Sequence, residues 1–390
     1  MRKVNYSDID ILFNWSNDKD VRLNAFNQNE IKYENHIQWF NNKMKNKNTH
    51  MYILMNDNQP IGQIRIDIEN KNGIISYSID KEYRGKGFGK IIIKNIEKII
   101  KEDNLDVLKL IGEVKINNES SKQVFLKNDY KEYFDEEKNC YRYIKELNFI
   151  GVIIQARYNS TRLKGKVLKN ILDKPLLYYS VKRSSLSKYA DKVIVAISNS
   201  DDDDKIKLWC DENNIISYVG DEHNVLRRYY EAAKENNLNT IIRVTSDCPF
   251  VDPKIIDMLI LEFLNFDYDY ISNRVVERTW PHGLDVEIFS FEALKKAYNE
   301  AVLDIEKEHV TSYILKNKDI FRAKESKLDK NLSNFRLTVD YEEDFELSKI
   351  LLENLIKKSG IDFDWKDIIK FMKKNKDLVK INENRNDIKF

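Results

Sequence analysis

The segment that decides the fold of the C-terminal half spans residues 149–168 and reads FIGVIIQARYNSTRLKGKVL. Its first six residues are apolar or glycine, and four of them are β-branched. A short, continuous apolar run of this kind is typical of a strand that is buried on both faces of a parallel sheet. Small and basic residues follow without a break. The sequence therefore predicts a strand that ends in a turn rich in cations.

Similar apolar runs alternate with helical patterns through the rest of this half. Such alternation is typical of an α/β fold with a doubly wound, Rossmann-like parallel sheet, whose ligand crevice lies beyond the carboxyl ends of the strands. The predicted strands each stand between helical stretches and cover residues 149–154, 192–197, 215–219, 240–245 and 268–272.

The N-terminal half has a different, mixed α/β pattern, in which amphipathic helices accompany strands that pair around a turn at residues 56–60. The predicted helices cover residues 30–47 and 89–102, and the predicted strands cover residues 51–55, 61–68, 74–79 and 140–147. One pattern ends and another begins near residues 146–148. The sequence therefore predicts two domains, residues 1–147 and residues 148–390.

Composition excludes several classes of protein. The 390 residues include 65 Lys and Arg against 64 Asp and Glu, and this balance argues against a protein that grips a nucleic-acid backbone. The longest apolar stretches fall far short of the roughly 20 residues that span a bilayer. Three scattered cysteines and five histidines lack zinc-ligand spacing. We expect a cytoplasmic protein without a nucleic-acid partner, a membrane segment or a structural metal.

A glycine-rich turn at residues 83–90, YRGKGFGK, joins a predicted strand to a predicted helix. Closely spaced glycines let successive backbone N–H groups point into one hollow, and the helix N-terminus adds partial positive charge. A pyrophosphate can bind there without a metal. The alternative is a tight turn that has no ligand.

A second motif follows at Asn118-Glu119-Ser120-Ser121, after a strand that contains Glu113. Arg-Gly-x-Gly-x-Gly followed at this distance by Asn-x-x-Ser resembles the GNAT acyl-CoA N-acetyltransferases, over about residues 1–147. Within that family, residues 15–22 and 34–40 are most similar to the nucleotide-sugar N-acetyltransferases of pseudaminic-acid synthesis.

The GNAT resemblance implies acetyl-CoA as co-substrate, bound by Arg84, Gly85, Lys86, Gly87, Phe88, Gly89, Lys90, Asn118 and Ser121. Glu113 matches the base that relays a proton from the attacking ammonium through water. His36 either contacts substrate or is a satisfied core histidine. Phe125 stands where many relatives place a tyrosine that protonates the leaving thiolate. Either Tyr130 or Tyr133 substitutes, or the thiolate leaves without help, or the domain is impaired.

The cation-rich turn of the C-terminal half carries Arg157, Arg162, Lys164 and Lys166 at the end of its first strand. A doubly wound fold would hold a triphosphate at this place, with bidentate contacts from arginine and point charge from lysine. The spacing is not that of a Walker A loop. Taken alone, the segment is equally a solvated turn.

Two aspartates follow later apolar runs. Asp247 comes just past the predicted strand at residues 240–245, and Asp340 follows a further predicted strand, Leu337-Thr338-Val339, in the same way. Carboxylates at strand ends above a polyphosphate loop are what a Mg²⁺-assisted attack on an α-phosphate requires. Each aspartate alone is more often a turn former or helix cap. The loop and both aspartates together favour the metal interpretation.

From residue 149 to the end, the chain resembles the GT-A-like cytidylyltransferases that activate acidic sugars, the CMP-Kdo and CMP-acylneuraminate synthetases, and most closely the spore-coat polysaccharide protein F group. The resemblance implies catalytic roles for Arg157 and Lys166 and Mg²⁺ binding by Asp247 and Asp340. Implied substrate-binding residues for nucleotide and acceptor are Ala156, Ser160, Arg162, Arg228, Asp285, Glu287 and His309. It also implies a homodimer through this domain. Asn159 and Lys164 replace a usual glycine and a common proline.

Together the two resemblances imply a bifunctional enzyme of nonulosonic-acid synthesis. One half would acetylate an amino-sugar nucleotide, and the other would join CMP from CTP to an acidic sugar such as pseudaminate, with release of pyrophosphate. Alternatives are a Kdo- or legionaminate-type acid, a protein N-terminal acetyltransferase, or a non-catalytic first domain. Four consecutive aspartates at residues 201–204 are interpreted as a helix cap with an acidic first turn.

Overall fold

The computed structural model describes residues 1–103, 105–274 and 277–385. The chain divides into two compact units, Met1–Leu147 and Asn148–Phe390. Each unit has its own sheet. Among the described residues, we find no helix with the length and apolar character that a bilayer crossing requires.

The first unit is a seven-stranded mixed sheet with strand order β1-β2-β3-β4-β5-β7-β6 and helices on its faces. Its strands are β1 (Arg2–Lys3), β2 (Thr49–Asn56), β3 (Gln59–Glu69), β4 (Asn72–Ile79), β5 (Lys109–Lys115), β6 (Lys131–Asp135) and β7 (Cys140–Glu146). Its helices are α1 (Ile9–Ser16), α2 (Lys19–Asn24), α3 (Tyr33–Lys45), α4 (Phe88–Glu102) and α5 (Glu119–Leu126).

Strands β4 and β5 separate halfway along their length. They pair in parallel only where residues 72–75 face residues 109–112. Beyond that point β4 remains paired with β3, and β5 remains paired with β7. The unpaired edges of residues 76–79 and 113–115 leave backbone N–H and C=O groups that a ligand entering between the strands can satisfy.

The second unit is built on another seven-stranded sheet, of order β12-β11-β8-β13-β15-β14-β16. Its strands, with a separate two-stranded β9–β10 ribbon, are β8 (Ile150–Ala156), β9 (Asn170–Ile171), β10 (Lys174–Pro175), β11 (Lys192–Ser198), β12 (Ile216–Gly220), β13 (Thr240–Thr245), β14 (Tyr270–Ser272), β15 (Glu287–Ser290) and β16 (Ala323–Glu325).

The helices of this unit lie between and after the strands. They are α6 (Leu176–Ser184), α7 (Asp204–Glu212), α8 (Val225–Glu235), α9 (Pro253–Asn265), α10 (Phe291–Glu300), α11 (Asp304–Glu308), α12 (Ser312–Lys316), α13 (Glu342–Ser359), α14 (Trp365–Lys374) and α15 (Asp377–Lys380). Strand β8 is central, with parallel partners on both sides, as its continuous apolar sequence predicts. The predicted α/β fold class is confirmed.

Three details differ from the sequence predictions. Strand β15 runs antiparallel between β13 and β14 and was not predicted, and neither was the exposed edge strand β6. The prediction of a strand at residues 337–339 is wrong, because this segment is extended but pairs with no sheet. Its hydrogen bonds instead run from the Leu337 N–H to the carbonyl of His282 and from the Val339 N–H to that of Asp247.

Candidate active sites

The cation-rich turn of the second unit folds back so that Lys166 reaches the carboxyl edge of the sheet. Gly165, at φ +70°, lets the chain turn into the short 3-10 helix that starts with Lys166. The Lys166 Nζ lies 3.0 Å from Asp247 Oδ2, 3.0 Å from Asp340 Oδ1 and 2.7 Å from the Val339 carbonyl oxygen. Three residues from distant parts of the sequence therefore meet at one buried point.

The charges in this cluster fix its protonation states. Burial would raise the pKa of Asp247, but the Lys166 ammonium and the hydrogen bonds from Thr245 and Lys166 hold it well below the usual range. Burial would lower the pKa of Lys166, yet the two carboxylates raise it. The aspartate is therefore ionised and the lysine protonated at neutral pH.

The carboxylate of Asp340 accepts hydrogen bonds from more cationic side chains than the sequence indicates. Besides Lys166, its Oδ1 accepts from Arg162 at 2.7 Å and its Oδ2 from Arg336 at 3.0 Å. Arg336 also pairs with Asp344, at 2.9 Å from Nε to Oδ1. The cluster is neutral because three carboxylates meet three cations: Asp247, Asp340, Asp344, Lys166, Arg162 and Arg336.

Sequence reasoning missed Arg336 and Asp344, although each lies four residues from Asp340. Asp344 carried a usable signal, because it is the third residue of α13 and its carboxylate accepts from the N–H groups just before the helix. Arg336 carried none, because the residues between it and Asp340 are extended. Thr245 was missed as well; its hydroxyl donates to Asp247 Oδ1 at 2.5 Å.

Arg157 and Arg228 lie apart from this cluster. Arg157 is exposed and makes no side-chain hydrogen bond or ion pair with any described residue, so Arg162 is the loop arginine that reaches Asp340. Arg228, on α8, is only 3% exposed, and its Nε and Nη1 have no hydrogen-bond partner among the described residues. A buried, unpaired guanidinium is costly, which marks this position as one where an acceptor from a ligand would be accommodated.

The remaining predicted nucleotide contacts belong to the loop itself. Ala156 is the buried last residue of β8. Ser160 follows within the loop, where its N–H donates to the Tyr158 carbonyl at 2.9 Å. That carbonyl also accepts from the Gly165 N–H at 2.9 Å, which closes the loop on itself just before Lys166.

The predicted acceptor residues do not form one group. Asp285 is held by both terminal nitrogens of Arg278, at 2.5 and 3.2 Å. His309 is exposed at the end of α11. Glu287 is buried, and its carboxylate accepts from Tyr270 at 2.6 Å and from Thr311 at 2.7 Å.

Glu287 also pairs with Arg243, its cross-strand neighbour on β13. Burial would raise the pKa of Glu287, but Arg243 leads the groups that lower it to about 2. Both of its carboxylate oxygens accept from donors inside the core. Glu287 is therefore a partner of core side chains in this structure, and its predicted role in substrate binding stays a prediction.

The donor set at the cluster fits a divalent cation that is completed by substrate oxygens. The carboxylates of Asp247 and Asp340 converge on the point that the Lys166 ammonium now holds, so one positive charge is already accommodated there. No group of three or more His, Cys, Asp or Glu side chains suited to a metal exists among the described residues. Mg²⁺ is commonly bound by one or two carboxylates together with phosphate oxygens.

In the first unit, the glycine-rich turn has the backbone conformation of an anion cradle. Gly85 and Gly87 adopt φ +75° and +85°, and a side chain added at either would meet nothing within 4 Å. Gly87 is the N-cap of the 15-residue α4. Open space beside unpaired N–H groups at a helix N-terminus suits a phosphate. Lys86 and Lys90 are both exposed beside this space, and Phe88 packs edge-on against Tyr83.

Arg84 does not contribute its side chain to that space. Its guanidinium nitrogens lie 2.6 Å from Asp18 and 2.8 Å from Asp20, and its Nε donates to the Ile79 carbonyl at 3.0 Å. The side chain therefore ties the turn to the start of α2. Its guanidinium is therefore engaged within the unit, and the predicted role of Arg84 in binding the cofactor stays a prediction for the backbone of the turn.

Glu113 lies where β5 leaves β4. Its carboxylate accepts from Lys138 at 2.6 Å, and the Nε of Arg142 lies 3.8 Å away. Asn118 caps α5 by accepting from the Ser121 N–H at 3.1 Å. The Ser121 hydroxyl is 3.1 Å from the hydroxyl of Tyr77, which stands on the unpaired half of β4.

The aromatic residues around Phe125 bear on the sequence alternatives for the proton donor of the leaving thiolate. Phe125 is buried, stacks on Tyr143 at 5.3 Å and covers Gly112, where an added side chain would clash with the ring. The hydroxyl of Tyr130 is buried without a partner among the described residues, and Tyr133 is exposed. Tyr77, which the sequence did not single out, is the tyrosine beside the gap between β4 and β5.

His36 is a core histidine. It is 2% exposed, its Nε2 lies 3.1 Å from the Ile9 carbonyl, and its ring packs against those of Phe13, Trp39 and Phe40. Burial lowers the pKa of the imidazole. Of the two interpretations offered by the sequence, this environment favours the core histidine.

Comparison with known proteins assigns each unit to an enzyme family. A sequence model of the family described as Cytidylyltransferase matches residues 151–383, more than half of the chain. The chain therefore belongs to the cytidylyltransferase family. A model described as Acetyltransferase (GNAT) family matches residues 10–130, so the first unit contains a GNAT acetyltransferase domain. The predicted resemblance to both enzyme families is confirmed.

Individual relatives match the second unit over nearly their whole length. MJ1063 of Methanocaldococcus jannaschii is 35% identical, over 61% of this chain and 96% of that protein. The spore coat polysaccharide biosynthesis protein SpsF of Bacillus subtilis is 31% identical, over 60% of this chain and 98% of that protein. A solved cytidylyltransferase from Leptospira borgpetersenii is 31% identical, with a TM-score of 0.57 over 60% of this chain and 97% of that one.

Proposed function

We propose that the second unit transfers CMP from CTP to a hydroxyl of an acidic nine-carbon sugar such as pseudaminate. The observation that carries this proposal is the neutral cluster in which Lys166 joins Asp247 and Asp340 at the carboxyl edge of the sheet. A triphosphate brings negative charge that can draw Lys166 and Arg162 from the carboxylates to phosphate oxygens. Mg²⁺, when bound by the two aspartates, would neutralise phosphate charge and stabilise the pyrophosphate leaving group.

An acidic acceptor is supported by the ion pair between Arg278 and Asp285. Arg278 already holds a carboxylate, that of Asp285, through two nitrogens. A sugar carboxylate can take the same bidentate geometry. We also propose a homodimer through this unit, because Val302, Leu303 and Ile305 are exposed apolar residues near His309. Both proposed co-substrates fit a cytoplasmic enzyme.

Pyrophosphate release from CTP tests the proposal directly. We expect Mg²⁺-dependent release with pseudaminate, and slower release with legionaminate, N-acetylneuraminate and Kdo. Incubation with CTP alone and with a neutral sugar provides the controls. Faster turnover of Kdo would identify the alternative acid, and no release with any acid would refute the proposed reaction.

We further propose that the first unit transfers acetyl from acetyl-CoA to the amine of a nucleotide-linked amino-sugar. The gap between β4 and β5 beside the open glycine turn carries this proposal. In this proposal Glu113 takes the ammonium proton through water. Lys138 and Arg142 lie beside Glu113, and these cations suit an acceptor that carries phosphates more than a polycationic one.

The leaving thiolate requires a proton, and Tyr77 is the candidate donor. Burial raises the pKa of Tyr77 to about 12, so its hydroxyl stays protonated at neutral pH. We expect Tyr77→Phe to lower kcat for acetyl transfer roughly 10- to 100-fold, with little change in KM for acetyl-CoA. Release of free CoA from acetyl-CoA with a UDP-linked 4-amino-sugar is the measurement.

Tyr130→Phe is the matched control for Tyr77→Phe. It removes a buried hydroxyl that has no partner among the described residues, so activity should stay unchanged and stability should not fall. A loss of activity in Tyr130→Phe but not in Tyr77→Phe would contradict the assignment. If acetyl-CoA binds saturably to the wild-type protein without release of CoA to sugars or peptides, the first unit is a binding module, the candidate that the burial of Phe125 favours.

A further inference from the structure

The aspartate run at residues 201–204 lies at the start of α7 and supplies the acidic first turn that the sequence predicts, but it makes no capping hydrogen bond. Ser200 precedes the 3-10 turn Asp201–Asp203, and Asp203 precedes α7, yet neither side chain makes a capping hydrogen bond. Asp203 is instead 2% exposed, whereas its neighbour Asp204 is exposed. A buried carboxylate must satisfy its acceptor oxygens elsewhere.

The carboxylate of Asp203 joins the cation-rich turn to the sheet. Its Oδ1 accepts from the backbone N–H of Tyr158 at 2.5 Å, and its Oδ2 accepts from the hydroxyl of Ser198, the last residue of β11. Next to it, Asp202 accepts from the side-chain amide of Asn159 at 2.9 Å. The turn is therefore attached to the end of a neighbouring strand through side chains of the aspartate run.

This attachment extends to Lys166. The carbonyl of Tyr158 accepts from the Gly165 N–H, and the Tyr158 ring lies so close to Gly165 that an added Cβ would be 2.9 Å from it. Lys205, in the first turn of α7, places its Nζ 4.7 Å from the centre of the same ring. Tyr158 is thus contacted by Asp203 and Lys205 at the start of α7. It also contacts Gly165, which directly precedes Lys166.

We infer that Asp203 is a positioning residue for CTP. It fixes the backbone of residues 157–165, and through it the place at which Arg162 and Lys166 meet the triphosphate. The inference rests on the proposed function of this turn as the triphosphate site. Without Asp203, the turn must be ordered when CTP binds, so the ordering entropy weakens nucleotide binding. Once the nucleotide is bound, the turn is ordered, and the distances between the reacting groups differ little from those in the wild type.

Kinetics of pyrophosphate release separate this role from a general loss of fold. We expect Asp203→Ala to raise KM for CTP by roughly 10- to 100-fold, with a smaller change in kcat. Asp203→Asn keeps an acceptor for Tyr158 and can donate to Ser198, so its KM should stay within about 3-fold of the wild-type value. Asp204→Ala changes an exposed member of the same run and should have no effect.

Limited trypsin digestion reports the attachment without activity. Cleavage after Arg157, Arg162 and Lys164 should be at least about tenfold faster in Asp203→Ala than in the wild type and in Asp203→Asn, and CTP should slow it. Ser198→Ala, which removes one of the two contacts of Asp203, should have an intermediate KM. That variant keeps the inference testable if Asp203→Ala does not fold.

Three results would overturn the inference. They are an unchanged KM in Asp203→Ala, an Asp203→Asn variant as impaired as the alanine variant, and trypsin cleavage at wild-type rates. A wild-type protein that releases no pyrophosphate with any acid would refute the proposed reaction instead. The digestion experiment would still decide whether Asp203 holds the turn.

Discussion

Asp247→Asn is expected to lower pyrophosphate release from CTP by roughly 10³-fold, while acetyl transfer by the first unit is unchanged. Asparagine has nearly the same shape, so the change removes one negative charge and little packing. Lys166 then loses one of the two carboxylates that place its ammonium, and the proposed divalent cation loses its most accessible oxygen ligand.

Asp247 stays ionised over the whole assay range, so the substitution removes a full negative charge at every pH tested. Its pKa is held below the usual range by the Lys166 ammonium and by hydrogen bonds, in spite of burial. The carboxylate therefore keeps its charge throughout the pH range in which the enzyme can be assayed, and a depressed pKa contributes stability that is lost only as the pH falls through it. The wild-type activity should show no acid limb from Asp247 between about pH 5 and 8, and the loss in Asp247→Asn should be the same across that range.

Two controls accompany Asp247→Asn. Asp267→Asn removes an exposed carboxylate that pairs with Arg322 at the surface, and it should leave both activities unchanged. Acetyl-CoA turnover by the same preparation reports on the first unit. Loss of both activities in a variant that still melts cooperatively would contradict two independent sites. Retention of pyrophosphate release above about a tenth of the wild-type rate would contradict the proposed role of Asp247.

The sequence predicted those parts of the molecule that depend on local pattern. The apolar run of β8 indicated a central parallel strand, and the position of Asp247 just past another buried strand placed it at the carboxyl edge. Closely spaced glycines before α4 indicated a turn with φ above zero, and both Gly85 and Gly87 have it. Each of these inferences needs only a few consecutive residues and the period of the side chains.

The ion pairs and hydrogen bonds between residues far apart in the sequence could not be predicted in this way. Arg162 and Arg157 are equivalent cations in the sequence, but only Arg162 lies beside Asp340, 178 residues away. In the sequence, Glu287 looks like a site residue because it is a carboxylate near other polar residues. The structure shows Arg243 directly opposite it on the neighbouring strand. Asp203 has the spacing of a helix cap, and only the fold shows the N–H of Tyr158 beside it. Buried polar groups are satisfied by whatever the topology brings near.

Gly283→Ala is expected to lower the free energy of unfolding of the second unit by about 3 kcal/mol or more and to abolish pyrophosphate release. Gly283 has φ +99°, and an added Cβ would lie 2.3 Å from the Thr338 nitrogen and 2.6 Å from the Leu337 carbonyl carbon. Both are backbone atoms, so no side-chain rotation relieves the collision.

The segment that would have to move is the one that carries Asp340. The Leu337 N–H donates to the His282 carbonyl at 2.6 Å, and the Val339 N–H donates to the Asp247 carbonyl at 2.8 Å. Displacing residues 337–339 by even a few tenths of an ångström therefore shifts Asp340 relative to Asp247 and Lys166. A close approach of backbone to backbone is the reason that only glycine fits position 283.

Gly360→Ala separates this collision from backbone strain. Gly360 lies in the same unit at φ +65°, where alanine is also disfavoured, but an added Cβ would meet nothing within 4 Å. With ψ at −156°, its backbone lies in a region essentially restricted to glycine, so the cost should be only that of this backbone strain, about 1–3 kcal/mol, with pyrophosphate release retained. Thermal and urea unfolding of the two variants measures the difference. Equal losses of stability would show that Gly283 is needed for its φ alone, and that the approach of residues 281–283 to residues 337–339 does not hold Asp340 in place.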